Sequence, residues 1–451
     1  MLPTDLAAAA DAYVLDGAFA AELASAVAHR TVSSDPGCGA PLDAYHRRVV
    51  APVLEGLGFA VRTVPNSVGG WPFLLASRVE DPARPTVLLY GHADVVDVSI
   101  PWRAGLDPWT LTREGDRWYG RGSADNKGQH LLNLAALRLL LEHRGMLGFN
   151  VTFLLDGGEE VGSPGLAELA AVHGRDLRAD VLVASDGPRV AADRPTLFLG
   201  TRAAAQIRLD VDLRADARHS GNWGGVLRNP ATTLAGAIGT LVDGHGRVLV
   251  PALLPPGVDD EVRAALARVP VEGEQGWGEP GLSAAERLHA GNTLEVLALE
   301  AGDVERPVGA IPGRARAVLQ LRHVAGTDVS RLAEVVTGHL RRHGFGMVRV
   351  TAGGGAAGRT PLSDPWVVWA REVLEPATGG RLLVLPSLGG TLPNRVFTED
   401  LGLATLWVPH SYPGCGQHAA DEHLPVEVAR DGLRTVLALF EALGRRGTSP
   451  R

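Results

Sequence analysis

The first 199 residues alternate between short apolar runs and longer segments with helical spacing of apolar positions. Uninterrupted apolar runs at Thr86–Tyr90, Val151–Leu155 and Val181–Ala184 predict buried strands. A long amphipathic segment from about Asn126 to His143 predicts a helix. Because strands without polar alternation must be covered on both faces, this order predicts an α/β domain with a mostly parallel sheet and helices on both faces.

The pattern changes near residue 200. Apolar and polar residues alternate in Gln206–Leu213 and in Arg314–Arg322, as is typical of strands with one face exposed to solvent. Ala231–Val242 has helical spacing and lies between these two strands. The pattern therefore predicts an inserted α+β domain over 200–358, which ends in a glycine-rich hinge at Gly353–Gly358.

The first pattern returns after this hinge. A helix is predicted from about Pro365, and the apolar run Ala404–Val408 predicts another buried strand. We therefore predict a catalytic domain built from 1–199 and 359–451 and interrupted by the domain of 200–358. A length of 451 residues agrees with two domains, since single cores rarely grow that large.

Composition narrows the class of protein. The chain has 43 Lys plus Arg and 51 Asp plus Glu, so its formal net charge is −8. This acidity argues against a nucleic-acid partner, which requires a basic face. No apolar run reaches membrane-spanning length, and the acidic N-terminus does not resemble a signal peptide, so we expect no membrane partner. Two cysteines are too few for a disulfide framework, and we expect a cytoplasmic location.

Acidic and histidine residues follow the predicted strands. A further acidic residue, Asp125, lies in the glycine-rich loop before the long helix. The carboxyl ends of parallel strands meet at one edge of a sheet, where ligands bind in doubly wound folds. We therefore expect these side chains to lie close together. They are His92, Asp94, Asp125, Glu159, Glu160, Asp186 and His418.

Two imidazoles and several carboxylates, with no thiolate, suit a pair of zinc, cobalt or manganese ions. Such a pair needs one bridging carboxylate and one free carboxylate that accepts a proton from water, and the adjacent Glu159 and Glu160 can divide the roles of base and ligand. Each signal alone has a structural alternative, because an Asp after a strand often caps a helix and a Glu pair often lies on the surface. Their joint occurrence favours a two-metal hydrolase.

Five stretches in this order resemble the carnosinase-like branch of the M20 metallopeptidases: YGHADVV, YGRGSADNKG, DGGEEVGSPG, SDG and GQHAADE. The resemblance implies that one metal site contains His92 and Asp186 and that the other contains Glu160 and His418. Asp125 would bridge the two ions, and the peptide bond that follows it would be cis.

The same resemblance assigns further roles. Glu159 would be the general base and later the proton donor, and Asp94 would orient His92. The inserted domain resembles a lid that forms a homodimer. His219 would stabilise the oxyanion in the partner's site, although it could also be an ordinary exposed loop histidine. Arg322 would hold a substrate carboxylate beside the backbone of Gly390 and Thr391, although the alternation places Arg322 on a solvent face.

These roles together predict an enzyme that cleaves the amide bond of dipeptides or related peptides with a free C-terminal carboxylate, using a metal-bridged water. An N-acyl amino acid amidohydrolase of the same family is the alternative, because it needs the same metals, base and carboxylate anchor. A binding protein that retained only the fold is a third hypothesis. The presence of Glu159 and of all five ligands argues against it.

Overall fold

A computed structural model gives the structure of residues 2–450. Its strands are β1 (Ala60–Val64), β2 (Phe73–Arg78), β3 (Thr86–His92), β4 (Thr112–Glu114), β5 (Arg117–Tyr119), β6 (Asn150–Asp156), β7 (Val181–Ala184), β8 (Thr196–Phe198), β9 (Ala203–Asp212), β10 (Arg218–His219), β11 (Thr293–Glu300), β12 (Ala310–Ile311), β13 (Arg314–His323), β14 (Arg349–Gly354), β15 (Leu383–Leu385), β16 (Ala404–Trp407) and β17 (His423–Pro425).

The α-helices connect these strands, and none of the helices in residues 2–450 is long and apolar enough to cross a membrane. They are α1 (Thr4–Leu15), α2 (Ala18–Val27), α3 (Gly39–Tyr45), α4 (Ala51–Gly56), α5 (Lys127–Arg144), α6 (Leu166–His173), α7 (Ser220–Trp223), α8 (Pro230–Leu241), α9 (Asp260–Leu266), α10 (Ala284–His289), α11 (Leu332–Arg342), α12 (Pro365–Ala377) and α13 (Val426–Arg446).

The chain divides into two compact units. The first contains the described residues up to Gly200, Arg359–Pro386 and those from Leu392 onward, and the second contains Thr201–Gly358 together with Ser387–Thr391. The short segment Ser387–Thr391 therefore packs with the second unit, although the residues on both sides of it belong to the first.

The first unit is built on an eight-stranded sheet with the order β1-β2-β6-β3-β7-β16-β8-β15. β3 pairs in parallel with β6 and β7, and β16 continues this parallel region beside β7. β3, β6 and β7 are buried along almost their whole length, which requires cover on both faces of the sheet. The predicted α/β fold with a mostly parallel sheet is confirmed.

Helix α5 packs against this sheet and is covered by other helices. It contacts β3, α2 and α13, so most of its residues are buried. It ends at Gly145, whose left-handed backbone (φ 72°) is the usual helix stop. The predicted helix, Asn126–His143, differs from α5 by one residue at each end.

The second unit contains a four-stranded antiparallel sheet with the order β11-β13-β9-β14. Burial alternates along β9 and β13, as their sequence pattern predicts. Helices α8 and α11 pack against the apolar face, where Leu209 and Leu319 join Leu234 and Val336 in one core. β14 includes Gly353 and Gly354, so the first two residues of the predicted hinge lie in a strand.

Candidate metal centre

The parallel strands bring the predicted ligands to one edge of the sheet in the first unit. β3 ends at His92, and Asp186 follows β7 after one residue. β6 leads into a 3-10 turn over Glu159–Val161, and His418 lies in the loop after β16. Since β6, β3, β7 and β16 are neighbours, their carboxyl ends place these segments together.

Asp125 lies between the two histidines. Its Oδ1 is 3.1 Å from Nε2 of His92, and its Oδ2 is 3.2 Å from Nε2 of His418. The peptide bond between Asp125 and Asn126 is cis, as the resemblance implies. Each oxygen of one carboxylate thus faces a different imidazole, which is the arrangement that a bridging ligand requires.

One further carboxylate accompanies each histidine. Glu160 Oε2 is 3.0 Å from Nε2 of His418, and Asp186 Oδ2 is 3.7 Å from Nε2 of His92. The potential ligand atoms of His92, Asp125 and Glu160 all lie within 4.8 Å of one another. The structure therefore brings the five predicted ligands together as two groups that share Asp125.

Unpartnered oxygens test whether a cation fits this cluster. Glu160 Oε1 and Asp186 Oδ2 are buried, and neither has a hydrogen-bond partner among the described residues. A buried carboxylate oxygen without a partner is costly unless positive charge compensates it. Nitrogen and carboxylate ligands in this ratio suit zinc, cobalt or manganese, so the side chains present fit divalent cations.

The pKa values of groups in the cluster are also shifted in the direction that favours added positive charge. Burial raises the pKa of Asp186 to about 7. It also raises the pKa of Glu159 well above its ordinary value, an effect strengthened by the carboxylates of Asp186 and Glu160. Hydrogen bonds to Asp125 and Glu160 raise the pKa of His418 to about 10. Without a cation, these groups hold protons instead.

Asp94 contacts residues of both groups in the cluster, although it is not one of the five predicted ligands. Its Oδ1 accepts the backbone N–H of Glu159, and its Oδ2 accepts that of Glu160, both at 3.0 Å. The same Oδ1 lies 3.3 Å from Nδ1 of His92, whose N–H also faces the Asp94 carbonyl at 3.0 Å. Asp94 thus orients the imidazole and both glutamates.

Glu159 differs from its neighbours because no described residue donates a hydrogen bond to its carboxylate. The turn that holds it requires small residues, since a Cβ on Gly157 would lie 2.5 Å from the carbonyl oxygen of Pro72. Glu159 therefore combines a fixed backbone with a free carboxylate beside the cluster, which is the condition for a general base.

The second unit brings three of its predicted residues together. Arg322 donates from Nη1 to Oγ1 of Thr391 at 2.8 Å, and Gly390 precedes that threonine. Arg202, which sequence reasoning did not single out, donates from Nε to the carbonyl of Gly389 at 3.2 Å. His219 is exposed on the ribbon formed by β10 and β12, and its Nδ1 accepts the N–H of Gly221.

A buried polar face on α5, which includes the preceding residue Asn126, was not predicted from the sequence. The spacing of Asn126, Gln129, His130 and Asn133 among leucines is a signal that could have revealed it, because these positions share one side of a helix. All four side chains are fully buried.

Comparisons with known proteins identify the family of the chain. Residues 88–442 match the family model described as Peptidase family M20/M25/M40. The chain belongs to this family. A cysteinylglycine-S-conjugate dipeptidase of Corynebacterium striatum is 30% identical to this M20 peptidase over 391 residues, which are 83% of this chain and 85% of that protein. The predicted metallopeptidase class is therefore confirmed.

Solved structures agree with the fold. The crystal structure of an M20 family metallo-carboxypeptidase from Sulfolobus solfataricus aligns with a TM-score of 0.79 at 25% identity, over 95% of this chain and 99% of that one. Human carnosine dipeptidase 1 aligns with a TM-score of 0.77 at 24% identity, over 98% and 100% of the two chains.

Proposed function

We propose that this M20 peptidase hydrolyses the amide bond of dipeptides, with a pair of divalent ions of the zinc type and with Glu159 as general base. The observation that carries the proposal is the position of Asp125 between His92 and His418. The Glu159 carboxylate lies close enough to feel the charges of His92 and Asp125. The dipeptidase activity in the name of the similar Corynebacterium striatum protein supports dipeptides as the substrate class.

In this mechanism, His92 and Asp186 would hold one ion, Glu160 and His418 the other, and Asp125 both. The two ions would supply Lewis acidity to the scissile carbonyl and to the attacking water. Glu159 accepts the proton of that water and then donates it to the leaving amine.

Three residues of the second unit have binding roles in the proposal. Arg322 binds the free carboxylate of the substrate, because a guanidinium matches a carboxylate with paired hydrogen bonds. Its bond to Thr391 holds it beside the backbone of Gly390. His219, supplied by a second copy of the chain, donates a hydrogen bond to the oxyanion, and its exposure leaves it accessible for this role.

We also propose that 1–199 and 359–451 form the catalytic domain and that 200–358 forms the lid through which the chain dimerises. The edge strand β11 supports this proposal. Val296 and Leu299 lie opposite Leu319 and Ala317, two buried core positions of β13, but are themselves 42% and 58% exposed. An apolar edge of this kind is a surface for a second copy.

Parallel assays of unblocked dipeptides and N-acetyl amino acids test the function. We expect metal-loaded protein to cleave the dipeptides faster. In Glu159→Gln, kcat should fall by about 10²–10⁴-fold, because the base is lost, while bound metal persists. Faster cleavage of N-acetyl amino acids would instead identify the amidohydrolase alternative.

Val172→Lys is a suitable control for these assays, since this exposed residue lies on α6, outside the cluster. Unchanged kcat in Glu159→Gln would contradict the assignment of the base. Metal analysis on the same samples separates loss of the base from loss of the ions.

A further inference from the structure

The buried polar face of α5 contains a hydrogen-bond chain directly behind the proposed metal centre. Asn126, which precedes the helix and follows Asp125, donates from Nδ2 to the carbonyl of Ser185 at 2.8 Å. Its Oδ1 accepts the backbone N–H of His92 at 3.3 Å. One amide thus touches the segments that carry His92, Asp125 and Asp186.

The orientation of this amide follows from its partners. A carbonyl oxygen only accepts, so the nitrogen of Asn126 must face Ser185 and its oxygen must face His92. The same oxygen lies 3.2 Å from Nδ1 of His130. Since an amide oxygen cannot donate, Nδ1 of His130 carries the proton.

Tyr45 completes the chain at the other side of the ring. Its hydroxyl is 2.7 Å from Nε2 of His130, and both side chains are fully buried. A neutral ring with a proton on Nδ1 has a lone pair on Nε2, which accepts the Tyr45 O–H. Burial, together with the nearby charges of His92 and Lys127, holds the pKa of His130 well below its ordinary value.

Close packing prevents the hydrogen-bonded side chains of Asn126, His130 and Tyr45 from rearranging. A Cβ added to Gly91 would lie 2.7 Å from Cβ of His130 and 3.0 Å from Oδ1 of Asn126. The backbone of β3 therefore lies directly against the imidazole. A shift of the ring would move Asn126 and with it the backbone next to His92.

We propose that His130, held by Tyr45 as the neutral Nδ1–H tautomer, is a positioning residue that acts through Asn126 to set the spacing of His92, Asp125 and Asp186. The inference rests on the proposed metal centre. It assigns the affinity for the ions in part to a histidine that does not bind them, since groups behind the ligands fix ligand orientation.

Nitrogen NMR of protein labelled at the histidine rings tests the tautomer in the unmodified full chain, with His130→Asn used to assign the signal. We expect a neutral ring protonated at Nδ1. A ring protonated at Nε2, or at both nitrogens, would overturn the inference. This measurement requires neither metal nor substrate, so it is independent of the proposed function.

Titration of the metal-free variants with Co²⁺ tests the consequence. We expect His130→Leu to weaken binding by about ten- to a hundredfold, because the donor to Asn126 is lost. His130→Asn should recover most of the affinity, since its amide nitrogen takes the place of Nδ1. His143→Leu makes the same change at the far end of α5, where the ring is partly exposed, and should leave binding unchanged.

Wild-type affinity in His130→Leu would contradict the positioning role. If that variant fails to fold, the comparison of Tyr45→Phe with the unmodified chain decides instead, because Tyr45→Phe leaves Nε2 of His130 without its donor and should bind Co²⁺ more weakly. Equal affinities of Tyr45→Phe and the unmodified chain would then overturn the inference that His130, held by Tyr45, positions the ligands. Absence of Co²⁺ binding by the unmodified chain would remove the metal centre and this inference together.

Discussion

Asp94 shows how one buried carboxylate can organise several groups of the proposed metal centre. Both of its oxygens accept backbone N–H groups from the turn that carries Glu159 and Glu160, and one of them also lies beside His92. A carboxylate is the side chain of this size that offers acceptors on both branches. An amide at the same position presents one acceptor and one donor.

The change Asp94→Asn tests this arrangement. One N–H of the turn would then face the amide NH₂ and remain unsatisfied, so the geometry of Glu159 or Glu160 should relax. We expect the catalytic rate to fall by about ten- to a hundredfold, with metal still bound but held less tightly. Rate assays and metal titration of the same preparation measure both effects. A rate equal to that of the unmodified enzyme would contradict the orienting role.

At the level of elements, the loop before α5 depends on a residue almost 300 positions away in the chain. The buried carboxylate of Glu422 accepts the backbone N–H groups of Gly122, Ala124 and Asp125, and it also forms an ion pair with Arg121 at 2.8 Å. The pairing of β5 with β17 brings the two segments together. Glu422 therefore holds the backbone of Asp125.

The variant Glu422→Gln should lose much of this support. The substitution leaves the buried charge of Arg121 without its carboxylate partner, and it turns an NH₂ group towards backbone N–H donors. We expect the free energy of unfolding to fall by about 3–5 kcal/mol, measured by guanidinium denaturation of the metal-free protein. The neighbouring variant Asp421→Asn, whose carboxylate is partly exposed, should change it by about 0–1 kcal/mol. Equal effects of the two variants would show that the buried contacts of Glu422 add nothing to the free energy of unfolding.

At the level of the whole molecule, two proposed properties, dimerisation and the binding of divalent cations, rest on the surfaces and charges of the units. The exposed apolar edge of β11 supports association of two chains, each of 47.4 kDa. The carboxylates of the first unit support binding of divalent cations with release of protons. Both properties can be measured without a substrate.

The variant Leu297→Lys tests the dimer. Leu297 is 55% exposed in the middle of β11, and a charge there should prevent burial of the edge against a second copy. Light scattering after size exclusion should give twice the chain mass for the unmodified protein and the chain mass for this variant. Val172→Lys, on a helix of the first unit, should remain dimeric. A monomeric unmodified protein would contradict the proposal.

Metal affinity should depend on pH with a definite sign. Burial raises the pKa of Asp186 to about 7, so below that pH the metal-free site holds a proton that a cation must displace. The apparent association constant for Zn²⁺ should therefore decrease as pH falls, by about tenfold per pH unit for each proton released. Calorimetric titrations in buffers of different ionisation enthalpy measure this release. Affinity independent of pH between 6 and 8 would contradict it.

Local patterning was sufficient to predict the central strands, the long helix and the strand-end positions of His92, Glu159, Glu160 and Asp186. The reason is that burial on both faces produces a continuous apolar strand, and parallel strands place their carboxyl ends at one edge. His418 and Asp125 could be included because their loops adjoin such elements. The fold class followed from the same patterning, whereas the M20 metallopeptidase class followed from the resemblance of five short stretches to that family.

Tertiary structure alone decided which distant groups meet. Nothing local indicates that Glu422 accepts from the loop at Asp125, that Tyr45 bonds to His130, or that Ser387–Thr391 packs with the second unit. Periodicity along a chain reports whether a position is buried, but the identity of its partner depends on how separate elements pack. Buried polar groups need particular partners, and only the assembled fold supplies them.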